Sequence, residues 1–283
     1  MEQHDPTTAY DTQIGFDARF EWGMDGVRRL APVSDVVVIV DTLSFSTCVD
    51  VAVSRGAIVF PYRWRDESAV TFAREQGAEL AVSRGRTTAE QPYSLSPVSL
   101  EALPEGTRLV LPSPNGATLA VLAANAGATV IAGCLRNARA VAAAARSLGQ
   151  TITVIAAGER WGGDDATLRP AIEDMIGAGA ILAALRPTTP SPEAIAAIAV
   201  YAAAAAALPP FIAACSSGRE LALLGYAADV EIATQHDVSE TVPLLRDGAF
   251  VSLTAPARPV DPPSAPMFEE QARESKEPEV RER

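Results

Sequence analysis

Residues Val36 to Thr47 read VVVIVDTLSFST, and the parsing of this stretch decides the fold. Val36 to Val40 are all apolar and β-branched. Such a run suits a strand buried on both faces of a sheet. Asp41 ends the run, Thr42, Ser44, Ser46 and Thr47 follow it, and Cys48 to Val53 (CVDVAV) is apolar enough to begin a packed helix. In an open α/β sheet, ligands lie outside the carboxyl ends of the strands, where the chain turns into the next helix. A carboxylate followed by hydroxyls at that point suits a metal, or a phosphate held at a helix N-terminus. Plain capping of the helix by Asp41 is the structural alternative.

Working outward, the same grammar recurs. Strands are expected at residues 14–20, 57–61, 79–82, 107–111, 129–132 and 151–156, with late strands at 229–233 (DVEIA) and 250–253 (FVSL). Helices are expected at 66–76, 117–126, 138–148, from Pro170 toward Leu185, from Pro192 to about Leu208, and from Ser216 onward. Strand, polar turn and helix alternate three times in succession after residue 106, the pattern of a largely parallel sheet. The fold expected is a layered α/β/α arrangement with a mixed, largely parallel sheet. It would occupy residues 15–254, with a division into two lobes near 106–170 left open. Residues 1–14 read as a flexible lead-in and 255–283 as a disordered, Pro-rich charged tail.

Composition narrows the chemistry. The formal charge of −12 and pI near 4.7 argue against a nucleic-acid surface. The longest apolar candidate, residues 194–208, falls short of the roughly 18 residues of a membrane span and meets Pro209 and Pro210. The polar, acidic opening MEQHDPTTAYD is unlike a secretory signal, so the expected location is the cytoplasm. Cys48, Cys134 and Cys215 are widely spaced among apolar or small residues, as reduced thiols are. The only Lys is Lys276, and the only His beyond the N-terminal residues is His236. Schiff-base and P-loop lysine chemistry are therefore excluded from the folded part. Carboxylates, hydroxyls, amides, Arg and a metal remain.

Four loops at expected strand ends carry such groups: Asp41 onward, Ser113 to Gly116 with Asn115, Arg136-Asn137, and Gly158 to Trp161 with Glu159. Parallel neighbouring strands would bring them to one edge. Glu173-Asp174 opens an otherwise apolar helix, facing either a metal or solvent. Ser216-Ser217-Gly218-Arg219 combines small residues with a guanidinium, suiting an anion or a simple helix cap. A hard divalent ion such as Mg²⁺, held by carboxylates and facing a small anionic phosphate ester, reconciles these features. A cysteine phosphatase is excluded, since Cys134 and Cys215 are followed at the C-x5-R position by Ala140 and Leu221. A haloacid-dehalogenase-like site using Asp41 lacks its second Asp, which is Leu43 here, and its Lys.

Taken together, VIVDTLSFST, RGAIVFP, LPSPNGATLA, GCLRNARAVA, AAGER, RPAIEDMIGAGAI, SSGREL and GYAADV resemble, in order, the 2-phosphosulfolactate phosphatase family. The resemblance covers roughly residues 36–232. It implies Mg²⁺-dependent hydrolysis of a phosphate ester of 2-hydroxy-3-sulfopropanoate. Carried over by position, the polar candidates are Asp41, Asn115, Asn137, Glu159, Glu173, Asp174, Ser216 and Asp229. Asp41, Glu159 and Glu173 are the expected catalytic groups, and Asp41, Glu173 and Asp174 the expected metal ligands. Ser46, Thr47, Asn115, Gly116, Asn137, Ser216, Gly218 and Arg219 are the expected substrate contacts. Two positions depart from the family pattern: Ser44 replaces an Arg, and Ala117 a Thr. Arg136, Arg160 or Arg169 would have to supply the missing guanidinium. Two alternatives stay open: a phosphatase for another phospho-hydroxy acid, and a binding-only relative that kept the fold. A homo-oligomer built through the Ala-rich helices after residue 170 is also open.

Overall fold

The structure is a computed structural model that describes residues 10–162 and 167–254. The expectations for residues 1–9 of the lead-in and for the tail at 255–283 lie outside the described residues. The chain begins with β1 (Ala18–Trp22), α1 (Gly23–Leu30), β2 (Val36–Val40), α2 (Phe45–Ser54), β3 (Ile58–Tyr62), α3 (Glu67–Glu75), β4 (Glu79–Leu80) and α4 (Pro97–Leu100). The middle holds β5 (Arg108–Pro112), α5 (Gly116–Asn125), β6 (Thr129–Gly133), α6 (Ala138–Leu148), β7 (Ile152–Ala156), β8 (Glu159–Arg160) and β9 (Leu168–Arg169). The last part is helical, with α7 (Ile172–Leu185), α8 (Pro192–Ala204), α9 (Leu208–Ala214), α10 (Ser216–Leu223) and α11 (Ala227–Ala233), and closes with the hairpin β10 (Pro243–Arg246) and β11 (Ala249–Ser252).

The strand VVVIV sits inside the sheet, as its composition requires. All five residues are fully buried. Val36, Val38 and Val40 enter one hydrophobic cluster with Val141 of α6 and Ile176 and Ile181 of α7. Val37 and Ile39 enter the opposite cluster with Val49 of α2 and Leu119 of α5. Alternation along one strand thus feeds two helical layers. Each such side chain contributes roughly 1.5–3 kcal/mol of burial free energy.

The main sheet has nine strands in the order β1-β7-β2-β6-β10-β11-β3-β5-β4. Two parallel blocks, β1-β7-β2-β6 and β3-β5-β4, are joined by the antiparallel β10–β11 hairpin. The expected mixed, largely parallel sheet is what forms. The hairpin lies between β6 and β3, and β2 and β5 are not neighbours.

Three local readings are corrected. DVEIA is helix rather than strand: it lies in α11, whose buried residues Asp229, Val230, Ile232 and Ala233 follow helical spacing. The short strand at Pro243–Arg246 was not anticipated, because Pro243 and Arg246 leave only Leu244 and Leu245 as apolar signal. Pro209 and Pro210 do not end the Ala-rich helix. The chain passes through a 3₁₀ turn (Ala205–Ala207), and both prolines occupy the first turn of α9, where a missing N–H costs nothing. The whole run Pro192–Ala214 is therefore 23 residues and, by length and composition alone, long and apolar enough to cross a membrane.

Candidate active site

The turn after β2 is held by its own carboxylate. Asp41 Oδ1 accepts the backbone N–H groups of Ser44 (2.8 Å) and Phe45 (3.0 Å), and Oδ2 accepts that of Gly116 (3.2 Å). One side chain therefore ties together the N-termini of α2 and α5. Position 116 must be glycine for this approach, since a Cβ there would stand 2.4 Å from Cδ1 of the buried Phe45. Burial raises the proton affinity of Asp41, and the three N–H groups and the Arg84 charge oppose the rise.

Asp174 performs a matching clamp from the first turn of α7. Its Oδ1 accepts the Thr42 N–H (2.7 Å) and its Oδ2 the Gly158 N–H (2.9 Å), joining the ends of β2 and β7. Gly158 adopts φ +67°, which an L side chain disfavours. Burial pushes the Asp174 carboxyl well above the usual range, and the charges of Asp41 and Glu173 push it further.

The neighbouring glutamates are less constrained. Glu173 is 2% exposed and accepts the Cys215 S–H on Oε2 (3.3 Å). Glu159 accepts the Asn115 side-chain N–H on Oε2 (3.2 Å). Each has an Oε1 without a protein donor among the described residues. Burial first, then the Asp41 and Glu173 charges, bring Glu159 up to about 7, against the opposing pull of Arg169 and Asn115. Burial and Glu173 push the Cys215 thiol up to about 12, so it stays a neutral donor.

Four carboxyl groups from three chain segments thus lie close enough to raise one another's proton affinity, and the guanidinium groups near them come from unexpected places. Of the arginines expected to compensate for Ser44, Arg136 is committed to the buried Asp50 (2.9 Å) and Arg169 donates to Ser217 Oγ (3.1 Å). Arg160 is exposed and lines a cavity that also takes in Asn115 and Glu159. The guanidinium at Ser44 belongs to Arg84, whose Nη2 donates to the Ser44 hydroxyl. Arg65, in the loop after β3, lies within Coulombic reach of Asp41, Glu159 and Arg84. Sequence reading missed Arg84, Arg65 and Cys215, which carry no motif and come from loops and a helix junction remote from Asp41 in the chain.

Several other expected contacts are turned inward. The Ser46 hydroxyl accepts the Asp41 N–H (3.0 Å) and donates to the Ile39 carbonyl (2.9 Å). The Thr47 hydroxyl donates to the Thr42 carbonyl (2.9 Å). Asn137 is fully buried, accepting the Cys134 N–H (2.9 Å) and donating to the Thr241 carbonyl (3.2 Å). Ser216 and Arg219 are exposed, and Gly218 packs so closely on α9 that a Cβ would lie 2.1 Å from the Ile212 carbonyl oxygen. In that turn, Cys215 and Ser217 are the residues linked to the carboxylate cluster, directly and through Arg169. Asp229 lies behind the site, where it binds Arg84.

The fit to Mg²⁺ follows from this inventory. Among the described residues, no group of three or more His, Cys, Asp and Glu side chains forms a ready metal cage. Asp41 and Asp174 use both oxygens on backbone N–H groups. Glu173 and Glu159 retain an available oxygen within a concentration of negative charge. Mg²⁺ keeps most of its waters and commonly binds through one or two carboxylates plus substrate phosphate. The donor set fits that mode.

Two comparisons with known proteins bear on this arrangement. The profile of the 2-phosphosulpholactate phosphatase family matches residues 27–248, an interval containing every site residue named above. A 2-phosphosulfolactate phosphatase of Methanothermobacter thermautotrophicus is 30% identical over 215 residues, spanning 76% of this chain and 88% of that protein.

Proposed function

The chain belongs to the 2-phosphosulfolactate phosphatase family, and from that membership we propose that it hydrolyses 2-phospho-3-sulfolactate to 3-sulfolactate and phosphate with Mg²⁺. The observation that carries the proposal is the gathering of Asp41, Glu159, Glu173 and Asp174 beside Arg84 and Arg65 at the end of β2. Glu173 would hold the ion, which when bound offsets phosphoryl charge and acidifies water. Glu159, fixed by Asn115 and near neutrality in proton affinity, accepts the proton of the attacking water. Asp41 and Asp174 tie the loops after β2, β5 and β7 together behind Glu173. The arginines offset negative charge on the ester.

Hydrolysis in H₂¹⁸O tests the reaction class. Water attack at phosphorus places the label in phosphate, whereas label in sulfolactate, or no phosphate at all, would overturn the proposal.

A specific pH dependence follows. Glu159 must be ionised to accept a proton, so kcat/KM should rise with pH through about 7 at limiting Mg²⁺. Added cation charge moves this limb lower. The stability trend has the opposite sign. Between the usual 4.5 and about 7, the folded state holds a proton on Glu159 that the unfolded chain has released, so stability falls as pH rises through that window. Glu159→Gln should abolish the rising limb and flatten the stability decline. A retained limb would show that another group titrates.

One observation favours a second reading, a larger phospho-hydroxy-acid ester. A cavity of about 860 Å³ opens beside Asn115 and Glu159, bounded by Trp22, Arg28, Arg160 and Leu168. A three-carbon ester fills little of it. Higher kcat/KM for an ester with a longer anionic leaving group would favour this reading.

A further inference from the structure

Arg84 is held in position by three groups, one of them braced in turn by a fourth. Its Nε donates to Asp229 Oδ2 at 2.8 Å, and its Nη2 to the Ser44 hydroxyl. Asp229 is in turn held by the Ser96 hydroxyl on Oδ1, and the Tyr226 ring lies 5.6 Å from the guanidinium carbon. The Asp229 side chain is 2% exposed, whereas that of Arg84 is 19% exposed. The guanidinium is therefore anchored yet partly exposed, and among the described residues no acceptor is bonded to its Nη1. An anchored fork of this kind loses little entropy on meeting an oxyanion.

Its direction of approach matters. Glu159 and Glu173 reach the site from β8 and from α7, and the phosphoryl group and Mg²⁺ belong with them in the proposed reaction. Arg84 arrives from the loop after β4, is braced by Asp229 of α11, and meets the Asp41 turn at Ser44. Residue 44 is the N-cap of α2, three positions after Asp41. A hydroxymethyl group there leaves room for the Arg84 fork. A long side chain at 44 would occupy that space.

We propose that Arg84, admitted by the small Ser44 and positioned by Asp229, is the specificity-determining residue that binds the oxyanion of the ester that is not transferred. This inference rests on the phosphatase reading above. The shared chemistry is a carbon-borne oxyanion, which can be the sulfonate or the carboxylate.

The test compares 2-phospho-3-sulfolactate, phospholactate (no sulfonate), phosphorylated isethionate (no carboxylate) and p-nitrophenyl phosphate. For Arg84→Ala, the expected result is a 10- to 100-fold rise in KM for the ester bearing the contacted group, with kcat changed less. The loss should be at least tenfold smaller for the ester lacking that group, which identifies sulfonate or carboxylate. Ser44→Arg alone should also weaken binding, and Ser44→Arg/Arg84→Ala should recover at least tenfold over Arg84→Ala. Because Arg84→Ala strands a buried Asp229 charge, Arg84→Met/Asp229→Asn, which removes both charges together, gives the same comparison in a protein relieved of that penalty. Equal losses for all four esters, or a Ser44→Arg/Arg84→Ala protein no better than Arg84→Ala, would overturn the inference. If the unaltered chain hydrolyses the ester, either of those results removes the role of Arg84 alone. If it hydrolyses none of them, the phosphatase reading falls first.

Discussion

Replacing Glu173 by Gln is expected to lower kcat/KM by about 10²- to 10³-fold while leaving the protein at least as stable as before. Glutamine keeps the shape of the side chain and an oxygen for the Cys215 S–H, so packing at this 2% exposed position is preserved. What disappears is a negative charge that pushes up the proton affinities of Glu159 and Asp174. Relief of like-charge repulsion favours the fold, and loss of the charge that would hold Mg²⁺ disables the reaction. The Glu159 limb in the pH profile of the residual activity should move below 7 for the same reason. Thermal unfolding and steady-state kinetics on one preparation check both halves. A destabilised but active variant would place Glu173 in the scaffold and remove it from the chemistry.

Asp41→Ala should have the opposite signature, with stability and activity falling together. Three backbone N–H groups lose their acceptor, and two helices, α2 and α5, lose the cap that aligns them. A lost helix cap costs about 1 kcal/mol and an unsatisfied buried donor about 1–3 kcal/mol, so a loss of roughly 3–5 kcal/mol is expected. For a domain of this size that lowers Tm by about 10 °C. Asp41→Asn retains one carbonyl acceptor and should recover part of the loss. Equal stability of Asp41→Ala and the unaltered chain would mean that the clamp contributes nothing, and that Asp41 serves the reaction alone.

Both variants probe features that differ in how visible they are in the sequence. The VVVIV strand was legible because a strand buried on both faces needs uninterrupted β-branched residues, and few other environments do. The proximity of Asp41 and Glu159 followed from the rule that strand ends host the chemistry, whereas Glu173-Asp174 was legible only as a carboxyl pair opening an apolar helix. Their division of labour did not follow. Whether a carboxylate is spent on backbone N–H groups, as in Asp41 and Asp174, or kept available, as in Glu159 and Glu173, depends on loop conformation. The same accounting explains Ser46, Thr47 and Asn137. Tight turns leave backbone donors and acceptors that must be satisfied inside the protein, and the nearest hydroxyls and amide satisfy them. Arg84 was illegible for a different reason. Its partners Ser44 and Asp229 come from the N-cap of α2 and from α11, at distant points in the chain, and nothing in the sequence announces that the three meet. The DVEIA segment misled through composition, since its Val and Ile suit a strand, whereas its burial follows the helical period.

Phosphate release from 2-phospho-3-sulfolactate by the unaltered chain, first with Mg²⁺, then with excess EDTA, then with Mg²⁺ restored, tests the proposed reaction most directly. The expected result is turnover that stops with the chelator and returns with the ion. Turnover unchanged by EDTA would contradict the role given to Glu173 and Mg²⁺, and binding of the ester without phosphate release would contradict the phosphatase reading itself.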